Sequence, residues 1–184
     1  MKITHDFEVS KPLPVVWDFF QDVPTVAQCL PGAELTEDKG DGVYAGRVSA
    51  KLGPLSASFE GEATVVADPA THSASIKGKG VDKRGGSRGR MSVVYQLREA
   101  EGGTGVDIEA DVNLAGAAAQ FGRSGLIREI SNRLISEFAD CLEGKLSAMT
   151  VEEAAAVQAG EVKGLQLFFK TLGSRIKGMF SNSD

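Results

Sequence analysis

Side chains able to do acid–base or covalent chemistry are few and scattered. The chain carries two histidines and two cysteines in 184 residues. His5 falls on the apolar side of an alternating stretch, in line with Ile3, Phe7 and Val9, where a hydrogen-bonded core histidine is expected rather than a general base. His72 follows a turn and is expected in solvent. Cys29 and Cys141 show no CxxC spacing and no partner base, so both are expected as small buried apolar residues and not as nucleophiles. The same two thiols, with no apolar signal region after Met1, point to a reducing cytoplasm. The glycine-rich Gly80–Ser87 stretch is no phosphate loop, because Gly86 stands where the lysine must precede the Ser. No metal site is expected.

Two charged stretches invite binding instead of catalysis. Between Lys77 and Arg90 the basic residues Lys77, Lys79, Lys83, Arg84, Arg88 and Arg90 meet a single acid, Asp82. No aromatic residue is interleaved for stacking on bases, so nucleic acid is not expected. A solvated basic hairpin is the plain alternative, and Lys79, Lys83, Arg84 and Arg88 are the candidates for docking an acidic protein partner.

The C-terminus carries the sharpest pattern. On a helical projection Val162, Leu165, Phe168, Phe169, Leu172, Ile176, Met179 and Phe180 fall within an arc of roughly 120°. Lys163, Lys170 and Lys177 gather on one flank. This predicts an amphipathic helix over 161–184 lying in a membrane interface, with packing on the domain itself or on a second copy as the competing arrangement. Gly164, Gly173 and Gly178 each cost about 1 kcal/mol of helix propensity relative to Ala, so membrane binding is expected to be reversible.

The remaining pattern specifies a scaffold. Lys2–Val9 alternates as a half-buried strand. Ser10 is placed to cap, and Pro12 to start, a short buried helix containing Val15, Val16, Trp17, Phe19 and Phe20, and a second short helix is expected over 23–29. After Gly32 the period is two, with breakers at Lys39–Gly42, Leu52-Gly53-Pro54, Asp68-Pro69 and Glu101–Gly103 and a longer connection at 80–89, which predicts six more strands. From about Ala118 to Met149 the period returns to 3.6, with Ile127, Ile130, Leu134, Phe138, Cys141 and Leu142 on one stripe. A curved seven-stranded antiparallel sheet must cover its apolar side, and this long helix is the element available to do so. A sheet wrapped around a helix leaves room for an apolar pocket between them, although side chains can equally fill it. The expected division is a ligand-binding domain over 1–149, an Ala-rich spacer over 150–160 and the amphipathic tail helix.

Length and composition agree with one compact domain and a short appendage. With 42% apolar and 24% charged residues and a net charge of −5, the chain can bury a core without metal or disulfide. No apolar run approaches the ~20 residues of a membrane-spanning helix.

The order of elements resembles the helix-grip fold, an α+β architecture, of the START-like (SRPBCC) superfamily. Cys29-Leu30-Pro31-Gly32-Ala33-Glu34, Leu52-Gly53-Pro54 with Ala57-Ser58-Phe59-Glu60-Gly61, and Gln120-Phe121-Gly122-Arg123 with Ser131-Asn132-Arg133-Leu134 resemble the carbon monoxide dehydrogenase G-subunit family over residues 1–149. The resemblance implies a non-catalytic accessory protein of an aerobic molybdenum-type CO dehydrogenase or related hydroxylase, which recruits that enzyme to the inner face of the cell membrane. It also implies an apolar cavity for a lipid-like ligand. A respiratory quinone, menaquinone in particular, is the expected ligand, because the enzyme's electrons must reach carriers dissolved in lipid. Facing places Val48, Phe59, Met91, Tyr95, Phe121, Ile130 and Leu134 along the pocket and Leu30 at its mouth, with Tyr95 and Gln120 as partners for a quinone carbonyl. The rival functions are a maturation chaperone of the molybdenum enzyme and a polyketide-cyclase-like enzyme.

Overall fold

The computed structural model describes residues 1–52, 55–123 and 126–148, with backbone alone for 51, 52, 55, 120–123, 126 and 127. The tail helix, the spacer, Gln120 and Phe121 lie outside what is described, as backbone or as side chain. Seven strands form one antiparallel sheet: β1 (Lys2–Val9), β2 (Ala33–Asp38), β3 (Val43–Leu52), β4 (Leu55–Asp68), β5 (Ser73–Asp82), β6 (Ser87–Ala100) and β7 (Gly103–Ala115). Their spatial order is β1-β7-β6-β5-β4-β3-β2, a meander in which the first strand closes onto the last. The long helix α3 (Leu126–Ser147) lies across it, and α1 (Leu13–Gln21) and α2 (Val23–Gln28) bridge β1 to β2.

Period-two alternation decides which face is wet. Register brings Tyr95 beside Ile108 and Ala74, and Met91 beside Val112 and Gly78, on the concave side. Their sequence neighbours Lys77, Ser92 and Asp111 align on the convex side.

The core is concentrated at one end of the concave face. Val9, Val16, Phe20, Leu97, Val106, Phe138 and Leu142 are buried there, and Phe20 stacks at 4.8 Å from Tyr95 while Phe7 meets Phe138 edge-on at 6.1 Å. The turns β2–β3, β4–β5 and β6–β7 lie at this closed end, and the turns β3–β4 and β5–β6 lie at the opposite end.

The structure corrects several expectations. Ser10 does not cap α1: Pro12 occupies the N-cap position, and the Ser10 N–H is donated to Glu143 Oε1 of α3 at 2.7 Å. The second helix is capped by Asp22, whose Oδ1 accepts from Thr25 N at 3.2 Å. The helix expected from 118 begins with a 3-10 segment, Gly116–Arg123, stitched to the β5–β6 turn by Ala118 N donating to Ser87 Oγ. The connection expected over 80–89 is only the four residues between Asp82 and Ser87, because Asp82 Oδ1 accepts the N–H groups of Arg84 and Gly85 and closes a tight turn. His72 adopts φ +49° and meets Trp17 edge-on at 5.4 Å, so it is half-buried rather than free in solvent.

The largest correction concerns the cysteines. Cys29 and Cys141 are joined in a disulfide, 5.4 Å between Cα atoms, that ties the end of α2 to α3 across 112 residues. They are buried as expected but are not separate thiols. The inference of a reducing compartment, which rested on free thiols, loses that support. Beside the disulfide, Lys145 Nζ donates to Gln28 Oε1 at 3.0 Å, and burial pulls the Lys145 ammonium below its usual pKa.

Candidate functional site

The concave face is packed at the closed end and, beside the β5–β6 turn, covered over Asp82 and Ser87 by the 3-10 segment; between them Val48 and Met91 stay exposed. Moving from Tyr95 toward the β5–β6 turn, the inward positions become small: Gly78 and Gly80 on β5, Gly89 on β6, Gly61 on β4 and Gly46 on β3. These glycines run side by side across four strands, where other positions of the same face carry Ile76, Val93 or Ala110. Gly61 is dictated by closeness of approach, because a Cβ there would sit 1.9 Å from Lys79 O and 2.6 Å from Gly80 Cα. β4 and β5 are therefore pressed together where the sheet curls, and the absent side chains leave a hollow above them.

Larger side chains rim this hollow. The Phe59 ring approaches within 3.6 Å of where a Gly89 Cβ would lie, and Met91 Cε within 2.9 Å of a Gly78 Cβ. Val48 pairs with Phe59 across β3 and β4. Although they face inward, Val48 and Met91 keep 49% and 39% of their surface exposed, so neither α3 nor another described side chain fills the space over them. Of the residues expected to line a pocket, Val48, Phe59 and Met91 converge here.

The others are placed differently. Tyr95, four residues along β6 from Met91 and so about 13 Å away, belongs to the packed core. Burial pushes its hydroxyl pKa up to about 12, opposed in part by the Gln21 side chain. Leu30 packs at the edge of the same core. Ile130 and Leu134 are half-buried on α3. His5, on the concave face of β1 opposite Ile108, holds a buried Nε2 with no hydrogen-bond partner among the described residues, where a bonded core histidine was expected.

The convex face is mostly polar, with Val66, Val81 and Val94 exposed among the charged residues. Thr64 and Ser92, flanked by Glu62, Lys77, Arg90 and Asp111, line a shallow groove of about 560 Å³ there. Lys39 and Lys79 both reach Glu62, which holds that carboxyl below its usual range, Lys39 contributing most. The basic residues chosen as docking candidates sit at the end away from the core: Lys83, 3.6 Å from Glu60, and Arg84 in or beside the β5–β6 turn, with Arg88 just after it. Lys79 lies further down β5. Pairs as exposed as these add little to stability, because solvent screens them.

Among the described residues no group of three or more His, Cys, Asp or Glu side chains is placed to hold a metal ion, and no helix is long and apolar enough to cross a membrane. The arrangement offers an apolar, glycine-floored recess and no converging set of reactive groups. Sequence reasoning missed the glycine floor, although Gly78-x-Gly80 inside a strand pattern was a signal for it, since glycine within a strand marks a close approach or missing bulk.

The family model for the G subunit of carbon monoxide dehydrogenase (CoxG) matches residues 6–147. No curated protein sequence matches. Among solved structures, a conserved protein from Geobacillus kaustophilus is similar at a TM-score of 0.70 and 16% identity, covering 80% of this chain and 95% of its own. A protein from Thermus thermophilus is similar at 0.57 and 13% identity, covering 85% and 98%. The ZhuI aromatase/cyclase of a Streptomyces species is similar at 0.55 and 16% identity, covering 79% and 93%. At these identities the likeness is one of fold, and it bears out the helix-grip architecture.

Proposed function

The chain belongs to the CoxG family, the G subunits of carbon monoxide dehydrogenase, and on that footing we propose that it is a non-catalytic carrier associated with the molybdenum-type CO dehydrogenase. It shelters a respiratory quinone, menaquinone foremost, in the hollow of its concave face and moves it between enzyme and membrane. The observation that carries this reading is the middle of the concave face, where inward-facing Val48 and Met91 stay solvent-accessible beside a floor of glycine. A hydrocarbon guest covering that floor removes apolar surface from water at about 25 cal/mol per Å², on its own side and the protein's. The glycine backbone admits a flat ring at contact distance where any larger side chain would exclude it.

The tail over 161–184 supplies the membrane association. Its apolar arc and basic flank fit reversible interfacial binding and raise the concentration of the hollow at the bilayer. A cyclase activity has only the shared fold in its favour.

Extraction of the purified full chain with organic solvent, followed by mass spectrometry and by titration with menaquinone, tests the carrier reading. Co-purifying quinone, or saturable binding, is the expected result. No ligand and no binding would refute it and favour a maturation chaperone. Deleting 161–184 is expected to abolish flotation with liposomes while leaving the circular dichroism of the domain unchanged.

A further inference from the structure

Three valines stand in water on the convex face: Val66, Val94 and Val81 are 61%, 46% and 40% exposed on a surface that is otherwise polar. Register sets Val81 beside Arg88, and Val66 and Val94 on either side of Ser75. At ~3.3 Å per residue, Val81 and the Val66–Val94 row lie ~20 Å apart, at the two ends of one patch on β4, β5 and β6.

Between these valines the charges are arranged at a cost to the sheet. Arg90 and Lys79 lie directly opposite on neighbouring strands, where like charges are destabilising, and Lys77 follows two residues along β5. Glu62 relieves Lys79 alone of these and is shared with Lys39. Asp111, across the groove, is held by the N-terminal ammonium at 2.8 Å. Lys77, Arg88 and Arg90 make no ion pair among the described residues. Thr64, Ser92 and Asn113 add neutral hydrogen-bonding groups to the groove that Lys77 and Arg90 rim. The fold offers these three cations no counter-charge, whereas an anionic partner does.

We infer that this half of the convex face docks an acidic protein surface, with Lys77, Arg88 and Arg90 meeting carboxylates and Val66, Val81 and Val94 packing as apolar anchors beside them. The association with the CO dehydrogenase proposed above supplies the partner, so the inference rests on that association and not on the quinone. Three observations select a protein of that kind. No aromatic side chain stands on the patch for bases to stack on, which disfavours nucleic acid. An anionic bilayer is repelled by the neighbouring strip on β1 and β7 of the same face, where Asp6, Glu8, Asp107 and Glu109 outnumber Lys2 and Arg98. A second copy presents the same curvature, and two convex sheets touch along a line, too little for the ~800 Å² per partner of a stable interface. Docking from behind leaves the concave recess uncovered, so a guest enters and leaves while the complex holds.

The test measures binding of the full chain to purified molybdenum-type CO dehydrogenase by surface plasmon resonance, at low salt and at ~0.5 M salt. Lys77→Glu/Arg90→Glu is expected to weaken binding on the order of 100-fold at low salt, about tenfold per reversed charge, and most of that difference is expected to vanish at high salt. Lys11→Glu/Arg128→Glu, the same change of net charge away from the patch, is expected to bind within about twofold of wild type. Val81→Ser/Val94→Ser is expected to weaken binding roughly fivefold or more at both salts, because apolar burial is not screened. Thermal melts confirm that each variant folds. Equal affinity of wild type and Lys77→Glu/Arg90→Glu, an equal loss in the control pair, or a difference indifferent to salt would each overturn the inference. So would a wild-type dimer in sedimentation that the reversals dissociate, or flotation with phosphatidylglycerol vesicles that they abolish, since the face then serves a second copy or a bilayer. Failure of the carrier reading is distinct: a chain that docks and takes up no menaquinone keeps this surface and loses the carrier. Saturable menaquinone binding with no affinity for the enzyme does the reverse.

Discussion

Severing the link between α2 and α3 probes the fold where sequence reasoning was most mistaken. The disulfide closes a loop of 112 residues. In the chain-entropy model a loop of that size removes about 16 cal/mol/K from the unfolded ensemble, or about 5 kcal/mol at room temperature. Measured effects usually fall below that bound, and replacing both cysteines by Ala leaves a small cavity beside Leu142 and Phe138, so the double variant Cys29→Ala/Cys141→Ala is expected to lose roughly 3–5 kcal/mol. For a domain of this size that corresponds to a fall in Tm of roughly 10 °C. Guanidinium unfolding of the oxidised protein, the oxidised protein with dithiothreitol, and the double variant in parallel reads it directly. The reduced wild type and the double variant should unfold close together, both well below the oxidised chain. Two free thiols in the non-reduced, unfolded protein, or a double variant within about 1 kcal/mol of wild type, would refute the reasoning.

Glycine substitutions separate what the sheet needs from what the hollow needs. Gly61→Ala forces a methyl group onto Lys79 O and is expected to cost roughly 3 kcal/mol by thermal melt, whereas Gly89→Ala meets nothing nearer than 3.4 Å and should fold normally. Gly89→Leu puts bulk into the recess beside Phe59 and is expected to weaken menaquinone binding roughly tenfold or more, about 1.4 kcal/mol, with its melting point little changed. The Asp82 carboxyl is held below its ordinary pKa by the Gly85 N–H first and then that of Arg84. A depressed folded-state pKa contributes stability that is present above the ordinary carboxylate range and is lost as pH falls through the folded value. Acid unfolding of wild type below about pH 4 should therefore be steeper than that of Asp82→Asn, and identical acid limbs would show that this turn carries no such linkage.

Much of the scaffold was legible because its signals are local. Alternation along Lys2–Val9 and Val106–Leu114, turn residues at Asp68-Pro69 and Glu101–Gly103, and the apolar stripe from Ile130 to Leu142 are properties of neighbouring residues, and all three became the expected elements. Boundaries slipped where a side chain had two possible partners. Ser10 was read as a cap, but a carboxylate 133 residues away takes its N–H. Asp22, which does cap a helix, was overlooked beside Pro24.

The candidate site was legible only in part. Facing alone put Val48, Phe59 and Met91 on the concave side with Tyr95, and it could not say that Tyr95 lies under α1 and α3 while the other three stand over bare backbone. That difference depends on where Phe20 and Phe138 reach, and on five glycines from four strands falling into register. The Cys29–Cys141 pairing is of the same kind, since no spacing rule relates two residues that meet only after the helix has crossed the sheet. Residue order determined that this chain builds a one-sided sheet with a single long covering helix, because a period is carried by each segment on its own. Which part of that sheet is filled, and where the positive charge gathers, only tertiary structure decided, because packing and field are set by neighbours that strand pairing brings together from distant parts of the chain.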